Sequence, residues 1–297
     1  NLNVNFDENT IILIHNIISL ESSIGKFFSE IQGYHKIFSK HTSGLGILSK
    51  NKDIIDKIYN NFQNNNDNKL FQINHFLDVS SKTNYCFIHS CTLIDKGTYR
   101  LDNLVNYINK QTIFLDSMEK IYINNIGIPI DKDYGPKYEI CNYSENINLF
   151  EKSTLNKIKK FSENNSDCNI LYIHNKGISY HDNNEFINDW INYLLYFLIN
   201  NHNYCKNLLE NYNCVSLNYH DGYYGKGNHF SGNYWWASTN YLKKLNILDE
   251  SIVDKMMGEK WLLDLETEDL SENNYYVLKN SNIDHYNNRI SFTQYQI

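Results

Sequence analysis

From residue 83 to residue 220, short apolar runs alternate with amphipathic stretches. NYCFIHSC (84–91) is an apolar run that ends in polar groups. TYRLDNLVNYINK (98–110) follows, with Leu101, Leu104, Val105 and Ile108 on one helical face. KIYINNIG (120–127) and YEICNYS (138–144) predict two more strands, and STLNKIKKFSEN (153–164) predicts a helix opened by a Ser/Thr cap. CNILYIHNKG (168–177) is the next apolar run, a long helix is expected from about residue 185 to 210, and NCVSLNYH (213–220) reads as a further strand. Strands alternating with helices predict a mostly parallel sheet flanked by helices, a Rossmann-like α/β fold.

The region before this pattern is less regular. TIILIHNIISL (10–20) reads as a strand, ESSIGKFFSEI (21–31) and KDIIDKIYNNF (52–62) as helices, and QNNNDNK (63–69) as an exposed linker. These pieces predict a small N-terminal α/β extension over residues 1–75, with the main domain over residues 76–297.

Composition narrows the function classes. With 297 residues, 41% of them hydrophobic, the chain can bury a core and is not a disordered tail. A net charge of −7 and no Lys/Arg block argue against a general nucleic-acid binder, which would have to overcome repulsion from phosphate. The longest apolar stretch, Trp190–Ile199, is half the roughly twenty residues of a membrane span, and no basic-then-apolar leader opens the chain. Six cysteines without a CxxC pattern fit no zinc ribbon and read as buried thiols, so a cytoplasmic protein is expected.

In open parallel sheets ligands sit beyond the carboxyl ends of the strands. Here the apolar runs end in His89-Ser90, Asn124-Asn125, Asn142-Tyr143 and His174-Asn175-Lys176-Gly177, which predicts a polar crevice along that edge. His174 and Lys176, two residues apart on a strand, are expected to emerge on the same side. Gly177 then permits a tight turn. An ammonium beside an imidazole suits a diphosphate; the plainer alternative is a surface lysine and a core-edge histidine. Asp95 and Arg100 follow the first strand of this region and are further candidates to touch a nucleotide, Arg100 and Arg289 being the only arginines. A second segment, GKGNHFSGNYWWASTNYLKKL (225–245), sets His229, Ser231, Gly232 and Asn233 before Trp235 and Trp236. Small polar groups beside indoles suit a carbohydrate, although a tryptophan pair serves equally well as core.

HNKG after an apolar strand, NDW opening an aromatic helix, and HFSGNYWWASTNYLKKL together resemble a group of bacterial and large-virus glycosyltransferases. The group carries a strand ending H-x-K-G and a downstream HFSGNFWWA-type block, and the resemblance covers roughly residues 83–265. It implies a GT-A-like fold and a virus-type enzyme that moves a sugar from a nucleotide-diphosphate donor, a UDP-sugar being favoured, to a hydroxyl of a glycan or protein. His89, Asn124, His174, Lys176 and Gly177 are expected on the donor side. His229, Ser231, Gly232, Asn233, Trp235 and Trp236 are expected on the sugar and acceptor side. Glu259, beside Trp261, is the first candidate general base, with Asp189 second and Asp264 third; Lys176 would stabilise the leaving diphosphate.

One departure stands out. Where such folds carry Asp-x-Asp for a divalent metal, this chain reads His174-Asn175-Lys176, so weak or no dependence on manganese or magnesium is expected. Asp182, Asp189 and Asp221 are substitute carboxylates, and His220, His229 and His285 lack metal-ligand spacing. The same departure sustains a competing expectation, a non-catalytic carbohydrate-binding or scaffold protein on a degenerate fold of this type.

Overall fold

The computed structural model describes residues 10–15, 35–39, 45–64, 73–76, 82–177, 184–222, 227–264 and 274–295. The chain forms two compact units, Asn1–Ser81 and Lys82–Ile297. The first contains β1 (Ile12–His15), β2 (His35–Ser39), β3 (Leu45–Ser49), α1 (Lys52–Asn64) and β4 (Ile73–Phe76). Its strands pair antiparallel in the order β1-β3-β2-β4, and α1 packs on β2 and β3 with Ile55 fully buried. A boundary at residue 75 would cut β4, so the division falls after Ser81 instead. The helix expected over 21–31 lies outside the described residues.

The second unit begins with β5 (Asn84–Thr92), α2 (Ile94–Lys110), α3 (Thr112–Ser117), β6 (Lys120–Gly127) and β7 (Tyr138–Ser144). It continues with α4 (Lys152–Asn164), β8 (Asn169–His174), α5 (Glu185–Leu195), a π-helical turn (Tyr196–Asn200), α6 (His202–Leu208) and β9 (Cys214–Ser216). After the hairpin β10 (Tyr219–Gly222) and β11 (Gly227–Phe230) come β12 (Trp235–Ser238), α7 (Thr239–Leu242), α8 (Met256–Lys260) and β13 (Tyr275–Val277). Seven strands form one sheet in the order β13-β9-β12-β8-β5-β6-β7, in which only β12 runs antiparallel to its neighbours. This is the mostly parallel, Rossmann-like α/β fold.

The sheet is buried on both faces, which explains why its strands read as continuous apolar runs. Cys86, Ile88, Ile121, Ile123, Leu171 and Ile173 join one cluster with the apolar faces of α2 and α5. The alternate residues Phe87, Ile170, Tyr172, Trp235 and Ala237 join a second with α4 and α7. Each fully buried side chain of this size contributes about 1.5–3 kcal/mol.

Two local expectations are corrected. The helix predicted from residue 185 to 210 is interrupted by the π-helical turn, whose Leu198 carbonyl accepts the Trp236 indole N–H at 2.8 Å. The expected Ser/Thr cap of α4 is absent: the cap position is Glu151, and Ser153 and Thr154 lie buried inside the first turn. Among the described residues no helix is long and apolar enough to cross a membrane.

Topology marks one place for a ligand. From β5 the chain moves outward through β6 and β7, then returns to β8 on the other side of β5. Strand order therefore reverses between β5 and β8, and crevices in such sheets open at that reversal, beyond the carboxyl ends of the strands.

Candidate functional site at the strand-order reversal

At the end of β8, Asn175 is wholly engaged. Its side-chain oxygen accepts the Cys91 amide at 3.0 Å, and its nitrogen donates to the carbonyls of Cys91 and Gly97, each at 3.1 Å. This ties the ends of β5 and β8 together and to the first turn of α2. The Lys176 amide then donates to the His174 carbonyl at 2.8 Å, a three-residue turn that ends strand alternation. His174 and Lys176, expected on the same side, both line the cleft described below, and each side chain has its own close neighbours. The Lys176 ammonium sits 3.9 Å from the centre of the Trp190 ring, on α5, a cation–π contact.

Gly177 follows with φ +89°, a left-handed backbone. A Cβ there would lie 2.8 Å from Ile187 Cγ2 and 3.6 Å from Arg100 Cζ, so the glycine lets the turn close over a guanidinium. Arg100, from α2, is 7% exposed. Its Nη1 donates to Asn188 Oδ1 at 2.6 Å, while Nε and Nη2 are buried with no hydrogen-bond partner. A buried cationic group left short of partners costs several kcal/mol unless something supplies them.

Arg100, Lys176, Asn188, Asn192 and Tyr234 line a cleft of about 260 Å³ between α2 and α5. Among the described residues the lining holds two cations and no carboxylate. Burial pulls the Lys176 pKa down to about 8, and the Glu259 and Glu151 carboxylates oppose that shift. The cleft thus has the chemistry of an anion site.

The Ser231-Gly232-Asn233 turn approaches this cleft through β12, which pairs with β8. Tyr234 donates its hydroxyl to the His174 carbonyl. His174 Nε2 bonds the Gly232 carbonyl at 3.0 Å, and because a carbonyl only accepts, Nε2 carries the proton. Burial, reinforced by Lys176, holds the His174 pKa near 3, so the ring is neutral at pH 7. On its other side, His174 Nδ1 lies 3.5 Å from Glu151, whose carboxylate also accepts the Asn233 amide. Gly232, at φ +101°, would bring a Cβ within 2.7 Å of Leu194 and 3.4 Å of Trp190. The turn therefore packs against the same indole that carries the Lys176 ammonium.

Other expected residues are placed differently. His89 and Asn124 are buried and bond Thr154 Oγ1 at 2.8 and 3.0 Å, so they pin α4 to the sheet and do not line the cleft. Burial holds the His89 pKa near 4. Trp235 and Trp236 are fully buried, which corrects their assignment to a sugar-facing wall. Adjacent strand residues point to opposite faces, and these two enter the two separate clusters. His229 is buried, bonds the Gly227 carbonyl at 2.9 Å and stacks on His220.

Among the candidate bases, Asp189 is occupied: Arg289 and the Ile290 amide donate to its oxygens. Asp264 is exposed, and Asp182 and the Asp95 side chain lie outside the described ones. Glu259, half-buried on α8, is close enough to favour the charged form of Lys176. Among the described residues no group of three or more His, Cys, Asp or Glu side chains is placed to hold a metal ion. Sequence reasoning missed Glu151 and Tyr234. Their only signals are an acidic residue before a helix and an aromatic one inside an aromatic-rich block.

No curated protein and no solved structure matches the chain. One family model does, a domain of unknown function (DUF8361), over residues 95–284, a span that holds Arg100, Lys176, the Ser231-Gly232-Asn233 turn and Glu259. That match covers well over half the chain, which therefore belongs to the DUF8361 family.

Proposed function

We propose that the protein is a glycosyltransferase that holds the phosphates of a nucleotide-diphosphate sugar on Arg100 and Lys176 and transfers the sugar to a hydroxyl of a glycan or protein. The observation that carries the reading is the cleft at the strand-order reversal, whose described lining has a lysine, a buried and partly unpartnered guanidinium, and no carboxylate. Its volume, about 260 Å³, lies below the ~300–1,000 Å³ of whole-ligand pockets and suits the diphosphate alone.

In the reaction, the acceptor oxygen bonds the anomeric carbon as the bond from that carbon to the diphosphate oxygen breaks. The electron pair leaves with the diphosphate, where Lys176 and Arg100 stabilise the growing charge. The acceptor proton passes to a carboxylate, for which Glu259 is the leading choice because Asp189 is committed to Arg289. His174, its Nε2 proton given to Gly232, is a positioning residue. Asn175 is fully engaged within the fold and the strand end carries no carboxylate, so activity should persist in excess chelator. UDP is the carrier of choice because it is common among such enzymes. The six free cysteines support a reducing, cytoplasmic setting.

A thermal-shift series with UDP, GDP, CMP and their sugars tests the reading. A ligand at about 100 times its Kd stabilises the fold by about 2.7 kcal/mol. Sugar-dependent release of the nucleotide would establish turnover. If no nucleotide moves the transition, with or without manganese, the competing reading takes over. The carboxylate-free His174-Asn175-Lys176 strand end already favours that reading, a carbohydrate-binding protein without chemistry.

A further inference from the structure

A second cleft, of about 540 Å³, opens beside the β10–β11 hairpin and differs in kind from the first. Asn218, Tyr219, Asp221, Ser231, Asn280 and His285 are among the residues that line it. Among the described residues of its lining, Asp221 is the one charged side chain; the others offer amides, hydroxyls, imidazoles and one aliphatic side chain. The volume falls inside the range of small-molecule pockets.

The groups are held in place. Asn218 adopts a left-handed backbone, φ +53°, with its amide on the Lys279 carbonyl and its own carbonyl accepting Ser231 N–H, both at 2.9 Å. Its side-chain oxygen accepts the Ser281 amide at 2.9 Å. His285 bonds Ser281 Oγ through Nε2 at 2.9 Å and stacks on Trp190 with ring centres 4.7 Å apart. Asn280 fixes the Tyr219 amide at 2.9 Å.

Two lining residues are nevertheless incompletely satisfied. Asn218 is 7% and His285 6% exposed, yet Asn218 Nδ2 and His285 Nδ1 have no hydrogen-bond partner. Buried polar atoms are almost always paired, so two lining residues with unpaired atoms leave unmet hydrogen-bonding capacity beside the cleft. A ligand for this lining must offer many neutral donors and acceptors. The described lining has no cation to hold an anion, and hydroxyls both donate and accept. We infer that this cleft is a binding site for a neutral saccharide, with Asn218, Ser231 and His285 directing hydrogen bonds to its hydroxyls. As the seat of an acceptor the cleft rests on the transferase reading; as a saccharide site it does not.

The test is saturation-transfer NMR on the full chain, without nucleotide. The probes are glucose, galactose, mannose, N-acetylglucosamine and N-acetylgalactosamine, with glucuronic acid as the charged control. At least one neutral sugar should show transfer. Its affinity should fall about tenfold or more in Asn218→Asp, which keeps the oxygen facing Ser281 and removes the unpaired donor, and in Ser231→Val, a change at a half-buried position. Ser231→Val keeps the inference testable if Asn218→Asp does not fold. Transfer to no neutral sugar, transfer to glucuronic acid as strong as to the neutral sugars, or unchanged affinity in a folded variant would each overturn it. Nucleotide-induced stabilisation, measured on the same samples, reports the first cleft. A chain that binds sugar without responding to nucleotide keeps this inference and loses the transferase reading; the reverse result does the opposite.

Discussion

The two clefts of the larger unit are built on different electrostatic principles, although they meet at one residue. Trp190 carries the Lys176 ammonium of the first cleft and stacks on the His285 imidazole of the second. The first draws its charge from a helix residue, Arg100, and a turn residue, Lys176, both brought to the strand-order reversal. The second draws neutral groups from the hairpin and from the segment after β13. Both have lining residues with buried polar atoms left without partners, but the atoms differ: guanidinium nitrogens in one case, an amide and an imidazole nitrogen in the other. A tryptophan tolerates both because its ring face attracts cations and stacks with a neutral ring.

Removing charge should separate the clefts most sharply. Arg100→Met and Lys176→Met are each expected to weaken nucleotide binding by about 2–5 kcal/mol, roughly 30-fold to several thousand-fold, as measured by titration calorimetry. If both variants bind nucleotide like the wild type, the first cleft is not the phosphate site.

The polar cluster behind the first cleft should matter for folding. Asn233→Ala strips Glu151 of its amide donor and is expected to cost about 1–3 kcal/mol in urea unfolding. Gly177→Ala, which forces a side chain into a left-handed backbone beside Ile187, should cost about 1–2 kcal/mol or slightly more. Its effect should fall on nucleotide binding too, because the turn covers Arg100, and not on sugar binding.

Acidity provides a finer separation. Anion binding needs protonated Lys176, so nucleotide affinity should fall as pH rises through about 8, by less than tenfold per pH unit, while sugar affinity stays flat there. On the acid side, burial lowers His174 to about 3 and His89 and His285 to about 4, against about 6.5 in the unfolded chain. The unfolded state therefore binds more protons below about pH 6.5, and stability should decline as pH falls from there toward 4. Titration calorimetry on either side of about pH 8 checks the alkaline limb and thermal unfolding at constant ionic strength the acid one; a midpoint that does not drop on acidification would contradict the neutral burial of these histidines.

The fold was largely legible because strand and helix patterns are local. The spacing of Leu101, Leu104, Val105 and Ile108 placed α2, and unbroken apolar runs placed β5, β6 and β8, since a sheet covered on both faces tolerates few polar positions. The π-helical turn was not legible: its Leu198 carbonyl accepts the indole N–H of Trp236, 38 residues away along the chain, a contact that local patterns do not carry. The candidate site was legible only in part. Lys176 and the Ser231-Gly232-Asn233 turn do meet, across Trp190, yet His89 and Asn124 face α4, and the tryptophan pair belongs to the core.

By itself the amino-acid order determined which segments become strands and helices, where the strands end, and that their ends carry hydrogen-bonding groups. These properties depend on residues a few positions apart, and period and composition express them directly. Only the tertiary structure decided that Arg100 is buried short of partners under Gly177, that Glu151 accepts the Asn233 amide beside His174, and that Asn218 and His285 line one cleft. Burial and pairing at those positions arise from contacts between residues far apart in the chain, and they set the charge and hydrogen-bonding capacity left for a ligand.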